Sequence, residues 1–155
     1  MASKEVVNER ARSQLQHVLR ELSEERGGLR LALLESTGLP DRWGLLLSAP
    51  WMDALGPRSI ISDLTSRLLR RVDKKFLSVI DHVSVMPSSD PFVRAFTTMV
   101  SGFLGVDPST HPGGFPVHDL SIEGRDVVRG FVFAADRRSD EKPKGFTATR
   151  KLVVR

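Results

Sequence analysis

The sequence predicts an α+β domain: one mixed β-sheet of about five or six strands packed with three helices, with a three-layer α/β arrangement as the alternative. Three observations lead there. Apolar residues recur at helical spacing in three separate stretches, short apolar runs bounded by Gly, Pro and Asp lie between them, and the order reads helix, strand, strand, helix, strand, helix, strand, strand. At 155 residues the chain is long enough to bury roughly two-thirds of its unfolded surface in one core. Residues 1–135 are expected to form that single domain, and 136–155 a basic C-terminal segment made of a mobile loop and an edge strand.

From Ser3 to about Glu25, Val7, Ala11, Leu15, Val18 and Leu22 form a narrow stripe, and Gly27 and Gly28 supply a stop. A helix with so thin a seam is expected to lie across the sheet or to pair with a second copy. "LRLALLES" (29–36) and "WGLLLSA" (43–49), joined by the turn-like "TGLPDR", read as an antiparallel hairpin. Pro57 suits a first helical position, and Ile60, Ile61, Leu64, Leu68 and Val72 carry the helix to about Asp73. Basic residues crowd its end, where they meet the helix dipole favourably. "FLSVIDHVSVM" (76–86) alternates like a strand.

The clearest helix start is "SSDPF": Asp90 caps, Pro91 opens, and Phe92, Phe96, Met99, Val100 and Phe103 form a buried stripe ending at Gly105. "VHDLSIE" and "VVRGFVFAA" form a second hairpin around Gly124 and Arg125, with Phe131 and Phe133 on one face. "FTATRKLVVR" reads as a last edge strand, its Lys and Arg discouraging further pairing.

Charge is distributed unevenly. Residues 1–75 hold 13 basic and 10 acidic side chains, residues 76–135 hold 3 and 6, and the last twenty hold 7 and 3. A nucleic-acid binder would concentrate positive charge on its folded body. Here the final segment carries an excess equal to the whole net charge of +4, which makes a nucleic-acid partner a poor fit. Cysteine is absent, excluding disulfides and thiolate chemistry. The charged opening and the lack of long apolar runs point to a cytoplasmic protein without a membrane segment.

The stretch most suggestive of a site is "LLLSAPWMDALGPRS" (45–59). If the strands at 43–49 and 76–86 run parallel, "SAPWMD" and "MPSSDP" meet at one sheet edge, where open sheets tend to bind ligands. The ligand or interface candidates are Ser48, Trp51, Met52, Asp53, Ser88, Ser89 and Asp90, joined by Arg125 from the hairpin turn. A packed corner explains the same residues: Asp90 as a cap, the prolines as loop geometry, Trp51 as a lid on the core. In a third reading Trp51 and Met52 stand exposed as an anchor for a partner.

His82, His111, His118 and Asp119 do not have metal-ligand spacing, since adjacent strand residues face opposite sides, so no metal and no cofactor is expected. "RLLRRVDKK" (67–75) reads as a solvated helix end. The function the sequence favours is a non-enzymatic interaction or regulatory module that self-associates. The alternatives are a small-ligand or anion-binding domain using the strand-end rim around Trp51 and Asp90, then a hydrolase or a nucleic-acid-binding protein.

Overall fold

A computed structural model describes residues 6–39 and 41–136. The final edge strand expected at 146–155 and nearly all of its loop lie outside the described residues, as do residues 1–5. Helix α1 spans Glu9–Arg26; the Asn8 side chain accepts from the Ala11 N–H, and Gly27, at φ +134°, ends the helix by donating to the Ser23 carbonyl. Strands β1 (Leu31–Ser36) and β2 (Trp43–Ser48) form the expected hairpin, in register from Leu31 opposite Ser48 to Ser36 opposite Trp43.

The chain then passes through α2 (Pro50–Asp53), α3 (Pro57–Arg71) and α4 (Lys74–Ser78) into β3 (Ile80–Val85), which pairs parallel to β2. Helix α5 (Pro91–Thr97) starts at the Asp90 cap, whose carboxylate accepts from the Phe92 N–H at 2.8 Å. Strands β4 (Phe115–Ile122) and β5 (Arg125–Ala135) close the fold as a hairpin. Its two-residue turn puts both Glu123 and Gly124 at positive φ, the geometry whose twist matches the flanking strands.

These strands form one mixed five-stranded sheet in the order β3-β2-β1-β5-β4, so the α+β class holds. The sheet is covered on both faces. Ala32, Leu34, Leu45, Leu47, Phe131 and Phe133 pack with α1 and α3, while Leu31, Leu33, Leu46 and Val132 pack with Phe92, Val93, Phe96 and Val100. Successive strand residues point to opposite faces, so a strand buried on both reads as an unbroken apolar run. This is why β1 and β2 are leucine-rich and do not alternate. The molecule thus has the layering of the alternative arrangement, with short extra helices added to the three expected.

Two expectations are corrected. The segment beginning at Phe76 is not strand throughout: the Asp73 carboxylate accepts from the Lys75 N–H and caps α4, which buries Phe76 before the strand begins. Phe103 is not on the buried stripe. After Thr97 the chain widens into a π-helical turn, Thr98–Phe103, where the Ser101 hydroxyl donates to the Thr97 carbonyl at 2.7 Å. The larger repeat rotates the stripe outward after Val100 and leaves Phe103 84% exposed. Of the two arrangements expected for α1, packing across the sheet is the one seen: Leu15, Val18, Leu19 and Leu22 are buried within the sheet-and-α3 core.

Candidate functional site

Because β2 and β3 run parallel, their carboxyl ends emerge together, and "SAPWMD" does meet "MPSSDP". The Asp53 carboxylate accepts from the Ser88 N–H at 3.0 Å and from the Ser88 hydroxyl at 2.5 Å. That clasp engages Asp53 with the protein itself. Trp51 is half-buried, and its indole N–H donates to the carbonyls of Gly27 (2.9 Å) and Gly28 (3.2 Å), fastening α2 to the end of α1. Met52 is buried in the α1–α3 layer. The exposed-anchor reading of Trp51 and Met52 is therefore corrected: an indole with a nearby carbonyl and a flexible thioether beside a core gap both turn inward. Asp90 is a helix cap, and Ser89 is an exposed turn residue. Ser48 is fully buried, its hydroxyl without a hydrogen-bond partner among the described residues.

Arg125 does not join this rim. Leu31 lies opposite both Ser48 and Ala135, so the end of β5 near the rim is its last residue, whereas Arg125 is its first. Arg125 instead donates to the Glu35 carboxylate and stands 5.0 Å from the Phe92 ring centre. The histidine expectation also changes in geometry. Asp119 takes positive φ (55°), the ladder skips from His118 opposite Arg129 to Leu120 opposite Val127, and the His118 Nδ1 comes within 3.3 Å of the Asp119 carboxylate. Both groups are exposed, and no cluster of three His, Cys, Asp or Glu side chains able to hold a metal occurs among the described residues.

A residue that the sequence reading passed over stands at the same edge. Arg30 precedes β1; its N–H donates to the Ser48 carbonyl (2.8 Å) and its carbonyl accepts from the Asp136 N–H (2.9 Å). It is 1% exposed. Burial, then the nearby charge of Arg94, lower its pKa to about 10, against the opposing pull of Asp53 and Asp136. The guanidinium remains charged at neutral pH. A single arginine before an apolar run was its one trace in the sequence.

Next to this arginine, at the β1–β5 end of the sheet, a cleft of about 530 Å³ opens between the second half of α1, the 101–109 segment and the end of β5. Leu19, Leu29 and Phe133 give it a buried apolar floor, while Arg20, Glu24 and Asp107 stand exposed at its rim. Its wall is held from α1. The Gln16 amide donates to the His111 carbonyl (2.9 Å) and accepts from the Gly113 N–H (3.0 Å); Arg12 donates to the Gly113 carbonyl (2.9 Å) and Arg20 to that of Ser109 (3.4 Å). Asp107 caps the short turn through the Ser109 N–H. These partners lie some 95 positions apart, which is why the sequence reading missed them.

The opening therefore sits one strand pair away from the predicted rim, where Trp51 and Asp53 are hydrogen-bonded within the protein and Met52 is buried. No helix among the described residues is long and apolar enough to cross a membrane. In comparisons with known proteins, no family model, no curated protein and no solved structure matches the chain.

Proposed function

We propose that this chain is a small-molecule-binding domain whose ligand has a compact apolar body and a hydrogen-bonding end, held in the cleft between α1, the 101–109 segment and β5. The observation that carries the reading is the cleft itself. Its volume of about 530 Å³ falls within the usual range for such pockets, roughly 300–1,000 Å³, and it combines an apolar floor with a few polar groups at the mouth. Its place beyond the ends of an open sheet, beside a π-helical turn, supports the same reading.

Indole and indole-3-acetate are suitable probes, one neutral and one able to meet Arg20. Titration followed by backbone amide NMR is expected to shift the signals of Leu19, Ser23, Val106 and Ala134 together. Ser23→Trp, which fills the cleft from a half-buried lining position on α1, is expected to abolish those shifts. Shifts scattered over the surface, or indifferent to Ser23→Trp, would refute the proposal.

A second reading, a self-associating interaction module, draws on Phe103 at 84% and Leu104 at 46% exposure. Adjacent exposed apolar side chains of this size are characteristic of contact surfaces. Sedimentation velocity over a wide concentration range decides it: self-association should disappear in Phe103→Ser, and a wild-type chain that stays monomeric throughout removes the reading.

A further inference from the structure

Helices α1 and α3 lie side by side and antiparallel, and the charges between them are divided into two contrasting zones. Where the second half of α1 faces the middle of α3, cations and anions are paired: Arg67 contacts Glu21, Glu25 and Asp63, and Arg26 contacts Asp63. Where the start of α1 meets the end of α3, an open groove of about 680 Å³ is lined by Arg10, His17, Arg70 and Arg71 with the neutral Ser13 and Gln14. Among the described residues no carboxylate lines it. Gln14 accepts from the Asp73 N–H at 2.9 Å, and the two residues that follow, Lys74 and Lys75, are exposed. The Asp73 carboxylate itself is engaged in capping α4.

Helix-dipole preference accounts for Arg70 and Arg71, which stand in the last turn of α3. It runs against Arg10, which stands in the first turn of α1, where positive charge is disfavoured. Arg71 reaches Glu21 at 3.0 Å with one nitrogen and the His17 Nε2 at 3.3 Å with another. Arg10 and Arg70 have no ion pair among the described residues. The guanidiniums of Arg10 and Arg70 thus share one groove with no carboxylate partner of their own among the described residues, and an anion bridging them relieves their mutual repulsion.

We propose that this groove is an anion site for a ligand bearing two or more phosphate groups, separate from the cleft, with which it shares no lining residue. Arg10 and Arg70 are the principal donors, and Arg71 and His17 shape the floor. Guanidinium forks bind phosphate oxygens in pairs, and the separation of Arg10 from Arg70 across two helices favours a ligand with more than one anionic centre.

The full-length chain titrated with inorganic pyrophosphate in a calorimeter, at physiological salt, should show saturable one-to-one binding. Arg10→Gln and Arg70→Gln should each weaken it roughly tenfold, with circular dichroism unchanged. Arg58→Gln removes the same charge from the exposed far end of α3 and should leave binding unchanged. Phosphatidylcholine vesicles doped with phosphatidylinositol bisphosphate identify the source of the phosphate. Pyrophosphate binding without vesicle recruitment supports a soluble ligand; recruitment that pyrophosphate reverses supports a lipid headgroup. No binding of either probe, or equal weakening by Arg58→Gln and Arg10→Gln, overturns the proposal.

Discussion

Replacing Arg67 by methionine tests how the two helices over the sheet are held together. Arg67 is 8% exposed and contacts Glu25 at 2.6 Å, Asp63 at 3.0 Å and Glu21 at 3.4 Å. Methionine keeps much of the apolar stem and deletes the charge, leaving three carboxylates grouped without their shared cation. Removing one partner of a fully buried pair costs about 3–5 kcal/mol, whereas an exposed pair is worth about 0–1 kcal/mol. Glu21 and Asp63 are about one-quarter exposed and Glu25 more than half, so the loss should be about 2 kcal/mol. With a urea slope of about 2 kcal/mol per molar, the midpoint should fall by about 1 M at pH 7.

The pH dependence separates charge from packing. The Arg67 hydrogen bond lowers the Glu25 pKa from its ordinary 4.5. For Asp63, burial pushes upward, but Arg67 and Arg26 outweigh it and hold the pKa below the ordinary 3.8. Carboxylates with depressed native pKa values contribute stability that is complete above the unfolded values and disappears as pH falls through the native ones. The difference between the wild-type and Arg67→Met urea midpoints should therefore be full at pH 7 and shrink progressively as pH falls below about 4, through the depressed native values. A difference of the same size at pH 7 and pH 3 would show that the arginine stem, not its charge, secures the interface, and would refute this reasoning.

Four further substitutions probe the rim and the sheet. Trp51→Phe keeps the ring but removes the donor to Gly27 and Gly28, and should cost about 1 kcal/mol by urea denaturation; no change would mean that the indole N–H contributes nothing to the corner. Asp53→Ala removes both halves of the clasp and Ser88→Ala one, so Asp53→Ala should cost more, and the double variant should match Asp53→Ala alone in a double-mutant cycle. Additive losses would argue against a shared interaction. In Gly130→Ala the added methyl would lie 3.0 Å from the Leu34 carbonyl oxygen and 3.1 Å from Leu33, in a strand paired on both sides; the cost should be about 1–3 kcal/mol, seen as a Tm lowered by about 5 °C.

Local chemistry made much of the architecture readable in the sequence. The Asp90–Pro91 pair announced α5 because a capping carboxylate and a donor-free ring act within one turn. The spacing of Leu15, Val18 and Leu22 marked α1, and the hairpin and crossover order placed Asp53 beside Ser88. What the sequence reading could not supply was the fate of groups whose partners lie far along the chain. Trp51 looked equally suited to pocket, interface and corner until the carbonyls of Gly27 and Gly28 were found next to it. Phe103 followed an apolar pattern that a π turn carried into solvent.

By itself, then, the sequence determined the fold class, the helix stripes, the caps and the sheet's leucine-rich centre, because each depends on interactions within a few residues or on burial averaged over an element. Tertiary structure alone decided where the surface opens. The cleft needs Gln16 on α1 to grip the backbone near His111, and the cationic groove needs Arg10 to meet Arg70 across two helices. Neither pairing leaves a periodic trace, since a single long-range contact imposes no repeating pattern on the residues between its ends.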